Sequence, residues 1–191
     1  MRRVLQTIAV GALCLAFLDG RAETVMDILK PGCTVRHAVF PFYSEPDRKL
    51  STVVTVEKAY LDHQRKGFFH IGILPVGALE GVTIEIRDTR RATDAFQQVQ
   101  RWLGAGSGRR VELRRVKFVF STNSLEAGTA LCRAGDRWEL LDGVRLVSGG
   151  NERRAQRATL QVAGREAGQV VLEDTPEVAN IFPGPTVEPE H

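Results

Sequence analysis

Arg110-Val111-Glu112-Leu113-Arg114-Arg115-Val116-Lys117-Phe118-Val119-Phe120 is the run on which the fold class turns. Val111 and Leu113 fall at odd positions, whereas Val116, Phe118 and Phe120 fall at even ones. Alternation of this kind marks a strand with one apolar and one wet face. The change of parity at Arg114-Arg115 predicts a bulge within it. Upstream, Val82, Ile84 and Ile86 alternate with Thr83, Glu85 and Arg87 in the same way. Further strands are expected over 34–42, 50–57, 67–74, 129–133, 138–141, 144–148, 158–162 and 169–173. Turn signals separate the later ones, at Gly135-Asp136, Asp142-Gly143, Gly149-Gly150-Asn151 and Gly164-Arg165. Short strands at this spacing mean a jelly roll, sandwich or open barrel.

One helix interrupts the strands. Ala92, Ala95, Phe96, Val99, Trp102 and Leu103 lie on a single apolar stripe, which predicts a helix over 92–103. Asp88 or Thr89 can cap its start and Gly104 can end it. The expected fold is therefore mostly β, an antiparallel jelly roll or open sandwich with one amphipathic helix inserted between two strand sets. The stripe either packs over the sheet or docks another protein.

The 191 residues, 43% apolar and 26% charged, give one globular domain of ordinary composition. The N-terminus reads as a leader. Arg2 and Arg3 precede a mostly apolar stretch from Val4 to Leu18, and Gly20-Arg21-Ala22 supplies small residues for a cut after Ala22. The stretch is shorter than the ~20 residues of a spanning helix, so a cleaved signal over 1–22 is expected, with a retained anchor as the alternative. The domain then runs from 23 to 174, in the periplasm or outside the cell. Cleavage removes three of the 26 basic residues and one of the 23 acidic ones, leaving a net charge of +1 instead of +3. No nucleic-acid partner is expected on that balance. Cys33 and Cys132 are the cysteines that remain, and in an exported chain the pair predicts a disulfide. Two buried thiols are the alternative.

Catalytic chemistry is missing from the sequence. Gly104-Ala105-Gly106-Ser107-Gly108 leaves a helix and enters a strand, the reverse of a phosphate loop, so it reads as a connector. No G-x-S-x-G elbow occurs, and His37, His63, His70 and His191 lack metal-ligand spacing. No enzyme activity, cofactor or metal is expected. Arg109, Arg110, Arg114, Arg115 and Lys117 form a dense basic run, either a solvated strand face or a site for an anionic headgroup. From Glu166 to His191 there are six acidic residues and no Lys or Arg, with four prolines, so 175–191 is expected to be an extended, acidic tail.

A loosely repeated unit also appears. Ala59-Tyr60-Leu61, Ala130-Leu131-Cys132 and Ala158-Thr159-Leu160 each lead through a polar turn into a strand with alternating apolar residues. These are hairpins of a meander. The unit, above all Trp138-Glu139-Leu140-Leu141-Asp142-Gly143-Val144-Arg145-Leu146, resembles the hairpin repeat of the OstA-like periplasmic family of lipopolysaccharide transport, the LptA/LptC type. The resemblance covers roughly 50–74 and 125–173. It implies a V-shaped jelly roll whose apolar interior holds acyl chains and whose edge strands pair with neighbouring jelly rolls. Phe69, Ile71, Phe118, Phe120, Trp138, Leu140 and Leu160 would line that groove, with the basic run at its mouth. The same residues can equally pack together as a closed core. Two readings therefore stand: an envelope protein that binds lipid or glycolipid, or a secreted module that binds an envelope protein through its sheet edges or the 92–103 helix.

Overall fold

A computed structural model describes residues 24–44, 47–66, 69–104, 110–132, 137–163, 166–173 and 178–182, with backbone only over 63–66 and 69–75. The leader at 1–22 and the connector at 105–108 lie outside these residues, as does Arg109. The described residues open with a short helix α1 (Val25–Ile28), started by a reciprocal Thr24/Asp27 capping box. The strands β1 (Thr34–Ser44), β2 (Lys49–Lys66) and β3 (Phe69–Ile86) follow. After a 3-10 turn comes α2 (Ala92–Trp102), then β4 (Val111–Phe120), β5 (Asn123–Cys132), β6 (Arg137–Ser148) and β7 (Asn151–Ala155). The last strands are β8 (Ala158–Gln161), β9 (Gln169–Leu172) and β10 (Val178–Asn180).

The ten strands among the described residues form one open sheet, in the order β1-β2-β3-β4-β5-β6-β8-β9-β10, with β7 paired to β6. The three repeated units are its hairpins β2–β3, β5–β6 and β8–β9. The pairing is antiparallel except at β3/β4, which run parallel. The inserted helix explains that exception. A tight turn reverses the chain, whereas α2 carries it back to the start of the neighbouring strand, so β4 repeats the direction of β3.

The parity change expected at Arg114-Arg115 proves to be one point on a line that crosses the sheet. Pairing skips His37 and Glu57 between β1 and β2, then Gly81, Arg115 and Gly128 on the next three strands, and reaches Asp142-Gly143 on β6. His37, Gly81, Arg115, Asp142 and Gly143 all adopt positive φ, between 52° and 84°. The break continues at Gln156-Arg157, between β7 and β8, where the Gly143 amide donates to the Gln156 carbonyl at 3.2 Å. Each left-handed residue reverses the alternation, so the apolar residues before and after it serve the same face. Val111 and Leu113 are thus buried together with Val116, Phe118 and Phe120.

Three expectations are corrected. The strands foreseen at 67–74 and 82–87 are not separate: residues 69–74 and 82–86 belong to the single strand β3, and 67–68 lie outside the described residues. Of the tail expected over 175–191, the described residues 178–182 join the fold: β10 pairs with β9, and Ile181 and Phe182 are buried. Their apolar character outweighs the surrounding prolines and acids. Cys33 and Cys132 are not joined by a disulfide. The Cys132 thiol instead meets Gln100 of α2, and burial pushes it up to about 12, so it is held protonated and unreactive.

Candidate functional site

Three regions carry the residues that the sequence singles out. The first is the apolar face of the sheet. Phe118, Phe120, Trp138, Leu140 and Leu160 are brought together there, each at most 1% exposed. Above them lies α2, whose stripe is buried as its spacing requires. Phe96 enters the aromatic group, with ring centroids 5.9 Å from Phe118, 6.0 Å from Phe120 and 5.9 Å from Trp138. Phe182, beyond β10, closes the same group at 5.8 Å from Phe96 and 5.4 Å from Phe120. At the other end of α2, Trp102 packs against Phe40 and Phe42 of β1. The face is therefore filled by side chains of the chain itself. Among the described residues three buried polar atoms on this side have no hydrogen-bond partner: Thr52 Oγ1 on β2 and the indole Nε1 of Trp102 and of Trp138. Phe69 and Ile71 are not placed with this group: they lie in the distal part of β3, beyond Val76, where side chains are outside the described residues.

The second region is the basic run on the opposite face. Arg114 donates to three partners, Asp62 Oδ2 at 3.2 Å, Glu112 Oε1 at 3.4 Å and the Tyr60 hydroxyl at 3.0 Å. Tyr60 in turn donates to Glu80 Oε1 at 2.6 Å, and Lys58 Nζ sits 4.3 Å over the Tyr60 ring. Burial, then the Glu80 bond, raises the Tyr60 phenol to about 12, so it stays protonated. That bond from Tyr60 also lowers the Glu80 carboxyl. Arg115 meets Glu57 at 2.9 Å across Gly81. Lys117 meets Glu126 at 2.8 Å, and the ladder continues through Arg145 and Glu152 to Arg154. Arg110 is exposed. Cross-strand register produces this matching, since Lys117 lies opposite Glu126, and Glu126 opposite Arg145. An anion approaching Arg114, Arg115 or Lys117 must compete with carboxylates already in place.

The third region comprises two surface recesses. One, of 240 Å³, runs alongside α2 and is lined by Ser44, Ser51, Arg91, Asp94, Gln98 and Arg101. The other, of 530 Å³, lies at the β6/β7 end of the crease, between Arg145 and Arg154. Neither is lined by Phe118, Phe120, Trp138, Leu140 or Leu160. Among the described residues no group of three His, Cys, Asp or Glu is placed to hold a metal ion, and no helix is long and apolar enough to cross a membrane. The sequence signals the crease only at Arg114-Arg115, because His37, Glu57 and Asp142 are ordinary surface residues until strand register aligns them. Comparison with family models, with curated proteins and with solved structures finds no match.

Proposed function

We propose that this chain is an exported, non-enzymatic binding module of the cell envelope, with a solid β core, which acts from its surface. Phe96 carries the reading: it occupies the position over Phe118, Phe120 and Trp138 that a lipid chain would need. Admitting an acyl chain there requires α2 to leave, exposing a stripe that includes Ala95, Phe96, Val99 and Trp102. The basic strand face supports the same reading, because its cations are matched within the sheet. Export rests on the leader over 1–22 and the OstA-like resemblance of the hairpins.

The second reading, a lipid or glycolipid carrier, has one observation in its favour. Buried indole N–H groups ordinarily find an acceptor, and Trp138 Nε1 has none among the described residues. A ligand ester or amide oxygen would satisfy it. Tryptophan fluorescence during titration with a lipid A-like amphiphile separates the two. A solid core leaves the emission of Trp138 unchanged below the concentration at which micelles form, whereas a saturable shift identifies a carrier. Phe118→Glu sharpens the test. In a solid core it buries an unpaired charge and unfolds the domain; in an open groove the variant stays folded and loses binding.

A further inference from the structure

We infer that the outer edge of β1 is closed to strand addition, so that the sheet does not continue there into a second copy of the chain or into an extended segment of another protein. The inference deepens the surface-acting reading, on which its functional meaning rests: a protein partner is met by side chains, not by a shared strand at this edge.

β1 ends the sheet on one side with 11 residues, whereas β10 ends it on the other with 3. A long edge strand offers a row of backbone N–H and C=O groups to any extended chain. The side chains of β1 would favour a neighbour too, since Val39 is 50% and Tyr43 53% exposed. Three features break the row. The first is His37, which the pairing skips and whose φ is 52°, so the strand is interrupted between Arg36 and Ala38.

The second is Pro41, which lies opposite Val53 within an unbroken run of pairs from Ala38 to Phe42. Proline has no N–H to give, and it keeps its place in a ladder by turning that position away from its neighbour. The open side of the edge therefore lacks a donor at Pro41. Alternation turns Val39 and Tyr43 the same way. The third feature is α2. Gln98 Nε2 donates to the Tyr43 carbonyl at 3.2 Å, and Trp102, one turn further on, packs against Phe40 and Phe42 and holds the helix to the strand. Of the three outward positions, Pro41 lacks the donor and Tyr43 has its acceptor in use, which leaves Val39 alone to offer both. A strand of ordinary length, about 5–6 residues, needs two or three such positions in succession. The OstA-like resemblance implies edge strands that pair with a neighbouring jelly roll; at β1 the groups that such pairing needs are missing or engaged.

Sedimentation velocity of the full chain over a range of concentrations tests the inference, together with hydrogen exchange of the Val39 amide. Wild type should show no association that slows exchange at Val39. Pro41→Val with Gln98→Ala restores the missing donor and frees the Tyr43 carbonyl. This variant should shift towards two copies as concentration rises, with exchange at Val39 slowed as a second strand covers it. Pro41→Val alone, which leaves the Gln98 bond in place, should shift less. Arg36→Val adds an apolar side chain to the same strand at an exposed position without changing its outward groups, and should sediment as wild type does. Unaltered fluorescence of Trp102 and Trp138 shows that each variant is folded. Wild type that associates with slowed exchange at Val39 overturns the inference, as does a folded double variant that sediments as wild type, or Arg36→Val that associates equally. A saturable Trp138 shift with amphiphile refutes the solid core and leaves the closure of β1 standing, so the two fail separately.

Discussion

Phe96 has four aromatic rings within 6.0 Å, on β4, on β6 and beyond β10, and is itself fully buried. Phe96→Ala should cost about 3–5 kcal/mol, because the cavity it leaves is walled by rigid rings. Urea denaturation measures this, and a cost below 1 kcal/mol would mean that the ring is not part of a packed core. Tyr60 sets the alkaline limit. Its raised value means that its contribution is fully present below pH 10 and is lost as pH rises towards about 12. In Tyr43→Phe, where Tyr60 is the last tyrosine, tyrosinate absorbance should rise near pH 12 together with loosening of the β2/β3/β4 cluster. Glu80, Glu126 and Glu152 set the acid limit, each lowered by its hydrogen-bonded partner: Tyr60, Lys117 and Arg145 respectively. Their contribution is present above the ordinary value of 4.5 and fades as pH falls, the last of it near 2, where Glu152 titrates. A cross-strand pair lost already at pH 6 would contradict the assignment.

At the scale of elements, the crease holds most of what the sequence conceals. The switch from Leu113 to Val116 is legible because strong apolar residues flank it on both sides. The same switch in β2, from Val56 to Ala59, and in β5, from Ala127 to Ala130, rests on alanines and carries little signal. Helix α2 is legible because the periodicity of its stripe is decided locally. β10 is not, since Ile181 and Phe182 are two apolar residues in a Pro-rich acidic segment and only the sheet gives them a place. The disulfide expected between Cys33 and Cys132 fails for a similar reason: an even count of cysteines carries no geometry. Gly81 is the clearest test of the crease, because its φ is +62° and a Cβ there would overlap the Glu57 side chain. Gly81→Val should cost about 1–3 kcal/mol in strain, and Gly81→Ala somewhat less. A neutral valine, measured by thermal melting, would show that the row is not constrained.

For the whole molecule, the candidate site was legible in part. Alternation brought Phe118, Phe120, Trp138, Leu140 and Leu160 to one face, but it could not say whether that face was empty. The answer lies in α2 and Phe182, which reach it from distant parts of the chain. Phe69 and Ile71 share the alternation, but they lie in β3 beyond Val76, where side chains are outside the described residues. The basic run was legible as charge, and its neutralisation only as register. Native mass spectrometry of the chain purified from the envelope in a mild detergent tests the solid core most directly. The account predicts the mass of the bare polypeptide. A stoichiometric adduct of lipid size would contradict it.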